Sequence, residues 1–140
     1  HKLKERLRVN ELIPVGDEIT RLRRIKTPQE LEYIKRAEAI GDEVFTDMLD
    51  FIKPGRTELE IAARIEYLLK VKGARKSSFP AIVASGINSS MPHAVPTQKK
   101  IENGDFLTMD FGCVYEGYCS DMTRTIVIGK ASPKQKEISF

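Results

Sequence analysis

The sequence predicts an α+β fold, and three observations carry that prediction. Two stretches repeat apolar residues with a helical period behind capping signatures. A later stretch alternates apolar and polar residues on both sides of Glu116-Gly117, which reads as a β-hairpin. The chain has 140 residues, 41% hydrophobic and 31% charged, enough for one domain with a buried core and no disulfide staple.

Residues 1–26 carry eight basic side chains against four acidic ones, whereas the whole chain has a net charge of only +3. The basic excess has no interleaved aromatic residues and no zinc-finger, helix-turn-helix or RNA-sheet signature, so no nucleic-acid partner is expected. With a Pro14-Val15-Gly16-Asp17 turn signal and weak periodicity, residues 1–26 read as a basic linker or the remnant of a preceding domain. No apolar run approaches the roughly 20 residues a bilayer needs, and no membrane partner is expected. His1-Lys2-Leu3-Lys4 is not a secretory signal. Two cysteines with no zinc-ligand spacing point to a reducing, cytoplasmic setting.

At Thr27-Pro28-Gln29-Glu30 the pattern becomes helical, with an N-cap threonine, proline at the first position and a glutamate to close the capping box. Leu31, Ile34, Ala37, Gly41, Val44, Phe45, Met48 and Ile52 hold the period until Pro54-Gly55. Thr57-Glu58-Leu59-Glu60 opens a second helix through Ile61, Ala62, Ile65, Leu68 and Leu69, and Gly73 stops it. Ala81 to Ala84 is a short apolar strand. Residues 85–93 are small and turn-forming, and Pro92 and Pro96 keep the stretch around His93 out of helix. Phe106 to Val114 and Tyr118 to Ile128 form the hairpin arms. Ser132-Pro133-Lys134-Gln135 is a third helix start, yet the chain ends at Phe140. A helix begun and not finished, together with His1 in place of Met, suggests a piece of a longer protein, truncated at its C-terminus.

Alternation places Leu107, Met109, Phe111 and Cys113 on one hairpin face and Thr108, Asp110 and Gly112 on the other. Asp121 lies with Cys119, Thr123 and Thr125. With a two-residue turn Asp110 and Asp121 are diagonal on one face; with a four-residue loop they are directly opposite. Neighbouring carboxylates repel unless they share a proton or bind a cation; solvation on an open sheet face, or a bulge between them, is the remaining possibility. Hard oxygen donors of this kind suit Mn²⁺, Mg²⁺, Co²⁺ or Zn²⁺. The same parity sends Cys113 and Cys119 to opposite faces, so no disulfide is expected between them. Asp110-Phe111-Gly112 lacks the companion motifs of a protein kinase. His93 reads either as an imidazole lining a site or as an ordinary loop histidine.

Three segments carry a family resemblance: Val83 to His93, Gly104 to Gly112, and Gly117 to Thr125 with its Asp121-Met122-Thr123-Arg124-Thr125 run. Together they resemble the Xaa-Pro aminopeptidases and prolidases, a family that includes creatinase and, more distantly, methionine aminopeptidase. Arg24 to Leu31 is similar to the Xaa-Pro branch rather than the methionine branch. The resemblance implies the pita-bread fold, of which residues 27–140 would be the first half: antiparallel sheet with two long helices on one face. It implies two divalent metal ions, manganese first and cobalt or zinc as alternatives, held by five protein ligands. Asp110 matches the aspartate that chelates one ion, Asp121 the one that bridges both, and His93 the histidine that contacts substrate. The remaining histidine and two glutamates have no counterpart here, so this chain is expected to be inactive alone. The implied substrate is a proline-containing peptide, hydrolysed at the Xaa-Pro bond, and the implied full-length assembly is a homodimer. A non-catalytic pita-bread module that binds peptides or proteins, or a self-associating half-domain, is the competing expectation.

Overall fold

The computed structural model describes residues 6–7 and 13–138, so His1 and Phe140, on which the expectation of a truncated chain rests, lie outside the described residues. Two compact units divide the chain, residues 1–31 and 32–140. In the first unit the charged stretch read as a linker contains a helix, α1 (Gly16–Arg24). Asp17 and Glu18 sit in its first turn and Arg21, Arg23 and Arg24 in its last, the arrangement that complements the backbone dipole. An Arg21–Glu18 ion pair at 3.1 Å adds to this. None of its residues is buried. Ile19 and Leu22 lie three residues apart on its surface but stay exposed, so this helix has no buried stripe to mark it.

Helix α2 (Pro28–Phe51) starts where the capping box predicts: the Thr27 N–H donates to Glu30 Oε2 at 2.6 Å, and the Glu30 N–H to Thr27 Oγ1 at 3.3 Å. Its apolar stripe buries Ala37, Ile40, Gly41, Val44 and Met48; Leu31, counted in the stripe from sequence, is 45% exposed. Helix α3 (Glu58–Val71) has the reciprocal capping box between Thr57 and Glu60. Its next two donors are also accounted for, since the Glu58 N–H reaches the Lys99 carbonyl and the Leu59 N–H the Thr97 carbonyl. At the other end Gly73 adopts φ +99°, with Gly73 N–H donating to Lys70 and Ala74 N–H to Leu69, a Schellman closure. Thr57→Ala will lower stability by about 1 kcal/mol, read as a drop in urea midpoint at constant m.

Six short strands follow: β1 (Lys76–Ser77), β2 (Ile82–Ser85), β3 (Phe106–Phe111), β4 (Cys113–Tyr115), β5 (Tyr118–Cys119) and β6 (Met122–Val127). They make two three-stranded antiparallel sheets, β1-β4-β5 and β2-β3-β6. Lys76–Ser77 was not anticipated; a two-residue strand has no period to detect. Tyr115 pairs with Tyr118 across the turn, and Phe111 with Met122, so the two-residue register holds through both sheets. Glu116 at φ 48° and Gly117 at φ 86° give the left-handed pair that a tight hairpin turn requires. Leu107, Met109, Phe111 and Cys113 are all buried, as alternation predicts, and pack with Ile40, Val44, Met48, Ile61, Ile65 and Leu69 in one core. Helix α4 (Pro133–Ile138) opens with the predicted box between Ser132 and Gln135, and Gln135 Nε2 donates to the Gly104 carbonyl at 2.7 Å.

Candidate active site

The hairpin read as two unbroken arms is split at Gly112 on one side and at Ser120-Asp121 on the other. A Cβ at Gly112 would overlap the Ser120 carbonyl oxygen and come within 2.6 Å of Ser78 Oγ. Three hydrogen bonds lock this close approach. Ser78 N–H donates to the Gly112 carbonyl, Ser78 Oγ to the Ser120 carbonyl at 2.9 Å, and the Cys113 N–H to Ser120 Oγ at 3.0 Å. Ser120 is 1% exposed, so its hydroxyl has no water to turn to and its bonds must be made within the protein. The ribbon therefore passes from one sheet to the other without losing register.

Asp110 stands on the non-core face of β3, half-buried, opposite Thr123. Thr123 Oγ1 donates to Asp110 Oδ1 at 3.1 Å, and beyond it the Thr108 and Thr125 hydroxyls meet at 3.1 Å. Along the return arm Ser120 and Met122 are buried while Asp121 and Thr123 are exposed. That alternation puts Asp121 on the Thr123 side, diagonal to Asp110. Among the described residues neither aspartate forms an ion pair. The opposite, core-facing side of β6 carries Arg124, which binds Asp42 of α2 at 2.9 Å and lies over the Phe45 ring.

His93 occupies an exposed position in a separate loop that follows a 3₁₀ turn at Gly86–Ser90. Sequence reading found the loop but not the turn, which forms because Ser89 and Ser90 hydroxyls donate to the carbonyls of Gly86 and Ile87. Ile87, Met91 and Val95 extend from this loop with 83%, 50% and 76% exposure.

One functional candidate escaped the sequence altogether. Glu58 is 0% exposed, and its carboxylate gathers donors from three segments. Oε1 accepts from the Ser85 N–H at 2.7 Å, Ser85 Oγ at 2.9 Å and Asn88 Nδ2 at 3.1 Å. Oε2 accepts from the Thr97 N–H at 3.0 Å and Thr97 Oγ1 at 2.7 Å. Burial, the largest single influence, pushes this carboxyl up; the bonds from Thr97, Ser85 and Asn88 together outweigh it and leave it below the usual glutamate value. Lys99 Nζ extends the network by donating to Ser85 Oγ at 3.0 Å and pairing with Asp105 at 2.8 Å. At Gly86, φ is +55° and a Cβ would lie 2.7 Å from Asp105 Oδ1, so both the turn and the network require glycine there. In sequence Glu58 looks like an ordinary first-turn acid, and its partners are 27 to 39 residues away.

Asp110 and Asp121 offer carboxylate oxygens, those of Asp110 already oriented by a hydroxyl, and among the described residues neither has a cationic partner. That donor set suits a divalent cation. Among the described residues, no three His, Cys, Asp or Glu side chains converge. Cys113 is buried and Cys119 exposed, both free, as the parity of the hairpin predicts.

Comparison with known proteins agrees with this architecture. The profile of metallopeptidase family M24 matches residues 32–139. An Xaa-Pro dipeptidase of Pyrococcus furiosus is 44% identical over 135 residues, which is 96% of this chain and 39% of that protein. The solved structure of an X-Pro aminopeptidase from Thermotoga maritima superposes with a TM-score of 0.92 at 38% identity, over 98% of this chain and 38% of that one. The prolidase of Pyrococcus horikoshii gives a TM-score of 0.92 at 42% identity, over 98% and 40% respectively. The chain thus spans about two-fifths of the length of these relatives.

Proposed function

Because this chain belongs to metallopeptidase family M24, with the α+β pita-bread architecture of the solved prolidases, we propose that the protein is a metal-dependent exopeptidase hydrolysing Xaa-Pro bonds. The observation that carries this reading is the pair Asp110 and Asp121 on one side of the ribbon, without a cationic partner among the described residues. The two aspartates would hold divalent ions, manganese being the first choice because carboxylate oxygens suit it and it also accepts the further histidine that the family resemblance implies. Such ions supply an activated water and polarise the scissile carbonyl.

The chain's own residues do the rest. Thr123, through its bond to Asp110 Oδ1, fixes how that carboxylate is presented. His93 donates a hydrogen bond to the substrate beside the scissile peptide. A bond preceding proline has no N–H to recognise, so the ring must be bound by shape. Ile87, Met91 and Val95 offer apolar surface for it. The 140-residue chain alone is proposed to turn over little substrate, since two carboxylates make a weak cage and further donors are required.

The test is hydrolysis of an Xaa-Pro dipeptide with Mn²⁺, by this chain and by a version extended to the length of the relatives. The extended protein should be active, and Asp110→Asn or Asp121→Asn should each reduce kcat/KM by more than the roughly 10–100-fold typical of losing an outer-sphere partner. Peptide binding without hydrolysis by the extended protein would replace the enzyme reading with a binding module. Robust turnover by the short chain would overturn its proposed inactivity.

A further inference from the structure

We propose that Glu58 is a positioning residue that holds His93 in place by clamping both ends of its loop; the catalytic part of this inference rests on the peptidase reading above. The loop leaves β2 at Ser85, turns through Asn88, carries His93, and returns through Thr97. Glu58 contacts the first two on the outgoing side and Thr97 on the returning side, five donor groups in all on one carboxylate. Beyond the 3₁₀ turn at Gly86–Ser90, the backbone bonds between these anchors among the described residues are the Met91 N–H to Asn88 and the Ala94 N–H to Met91. These bonds are local to the loop; its two ends are tied to the first turn of α3 by Glu58.

Three features make the clamp stiff. The carboxylate is fully buried, so water cannot substitute for a lost donor cheaply. The same helix turn binds the returning segment a second time, through Leu59 N–H to Thr97 and Glu58 N–H to Lys99. Lys99 then closes the ring by donating to Ser85 Oγ, the hydroxyl that itself donates to Glu58. Among the described residues the side chains of Asp110 and Asp121 make no hydrogen bond to this network, so the clamp is expected to act on the histidine loop before the carboxylate pair.

Glu58→Gln separates these roles, because it keeps size but turns one acceptor into a donor facing donors. In the ¹⁵N-labelled chain, backbone order parameters of residues 89–96 should fall from about 0.85 to below about 0.6, while residues 106–111 and 122–127 stay rigid. Unchanged order in 89–96 overturns the proposal. If Glu58→Gln fails to fold, Thr97→Val and Asn88→Ala, each removing one side-chain donor, decide the matter: loosening confined to 89–96 supports the clamp, and unchanged order in both variants overturns it. In the extended protein Glu58→Gln should lower kcat on an Xaa-Pro dipeptide about 10–100-fold, and the double variant with His93→Ala should be no slower than His93→Ala alone. Additive losses would overturn positioning through His93. An extended wild type that does not cleave Xaa-Pro bonds would remove the peptidase reading and leave the order-parameter experiment to decide the clamp.

Discussion

Alanine at position 112 should destabilise the chain by about 3 kcal/mol or more, seen as a large drop in urea midpoint. The added methyl would overlap a backbone atom, the Ser120 carbonyl oxygen, rather than the mobile end of a side chain. Relief would require the two arms to separate where Ser78, Ser120 and Cys113 tie them together. Each of those bonds serves a buried or half-buried polar group, so opening the junction would leave several unsatisfied at once. The contrast is Gly41, where the nearest atoms to an added Cβ are Met122 Cε and Sδ, the far end of a flexible side chain. A variant at 112 with an unchanged midpoint would mean that the junction does not need the close approach.

Glu58→Ala should destabilise by about 3 kcal/mol or more, because the buried donors of Ser85, Asn88 and Thr97 would lose their acceptor together, at about 1–3 kcal/mol for each group left unsatisfied. The pH dependence of the wild type should reveal the same group. Its folded-state pKa lies below the ordinary glutamate value of about 4.3, so its contribution is complete above that value and drains away as pH falls through the lower, folded one. Glu58→Gln should remove that limb of the acid-unfolding curve. A variant whose stability falls with acid as steeply as the wild type would show that the carboxylate is not charged in the folded state.

Local chemistry wrote most of the secondary structure legibly. The boxes at Thr27, Thr57 and Ser132 each gave a helix start, because a cap and its reciprocal acid or amide lie three residues apart. Alternation in β3 identified Leu107, Met109 and Phe111 as core, and Asp110 and Thr108 as the other face. The register was narrowed to two choices, and the left-handed angles at Glu116 and Gly117 select the two-residue turn. What stayed hidden was non-local. Nothing near Gly112 in sequence says that Ser78 and Ser120 will converge on it, and nothing near Glu58 announces Asn88 or Thr97. The histidine and the aspartates were legible only as candidates, because the loop and the hairpin that carry them are joined by no local signal.

The close junction at Gly112 bears on the proposed metal site. Phe111 pairs with Met122 and the Ser120 N–H bonds to Cys113, so Gly112 and Asp121 face each other across the ribbon. The gap between the two carboxylates is thereby an angle of the main chain before it is a matter of rotamers. Cations differ in radius and in how strictly they demand octahedral or tetrahedral surroundings. If the two aspartates hold the ions as proposed, changing the hydroxyl braces Ser78 and Ser120 should alter which ion is preferred while leaving both aspartates untouched.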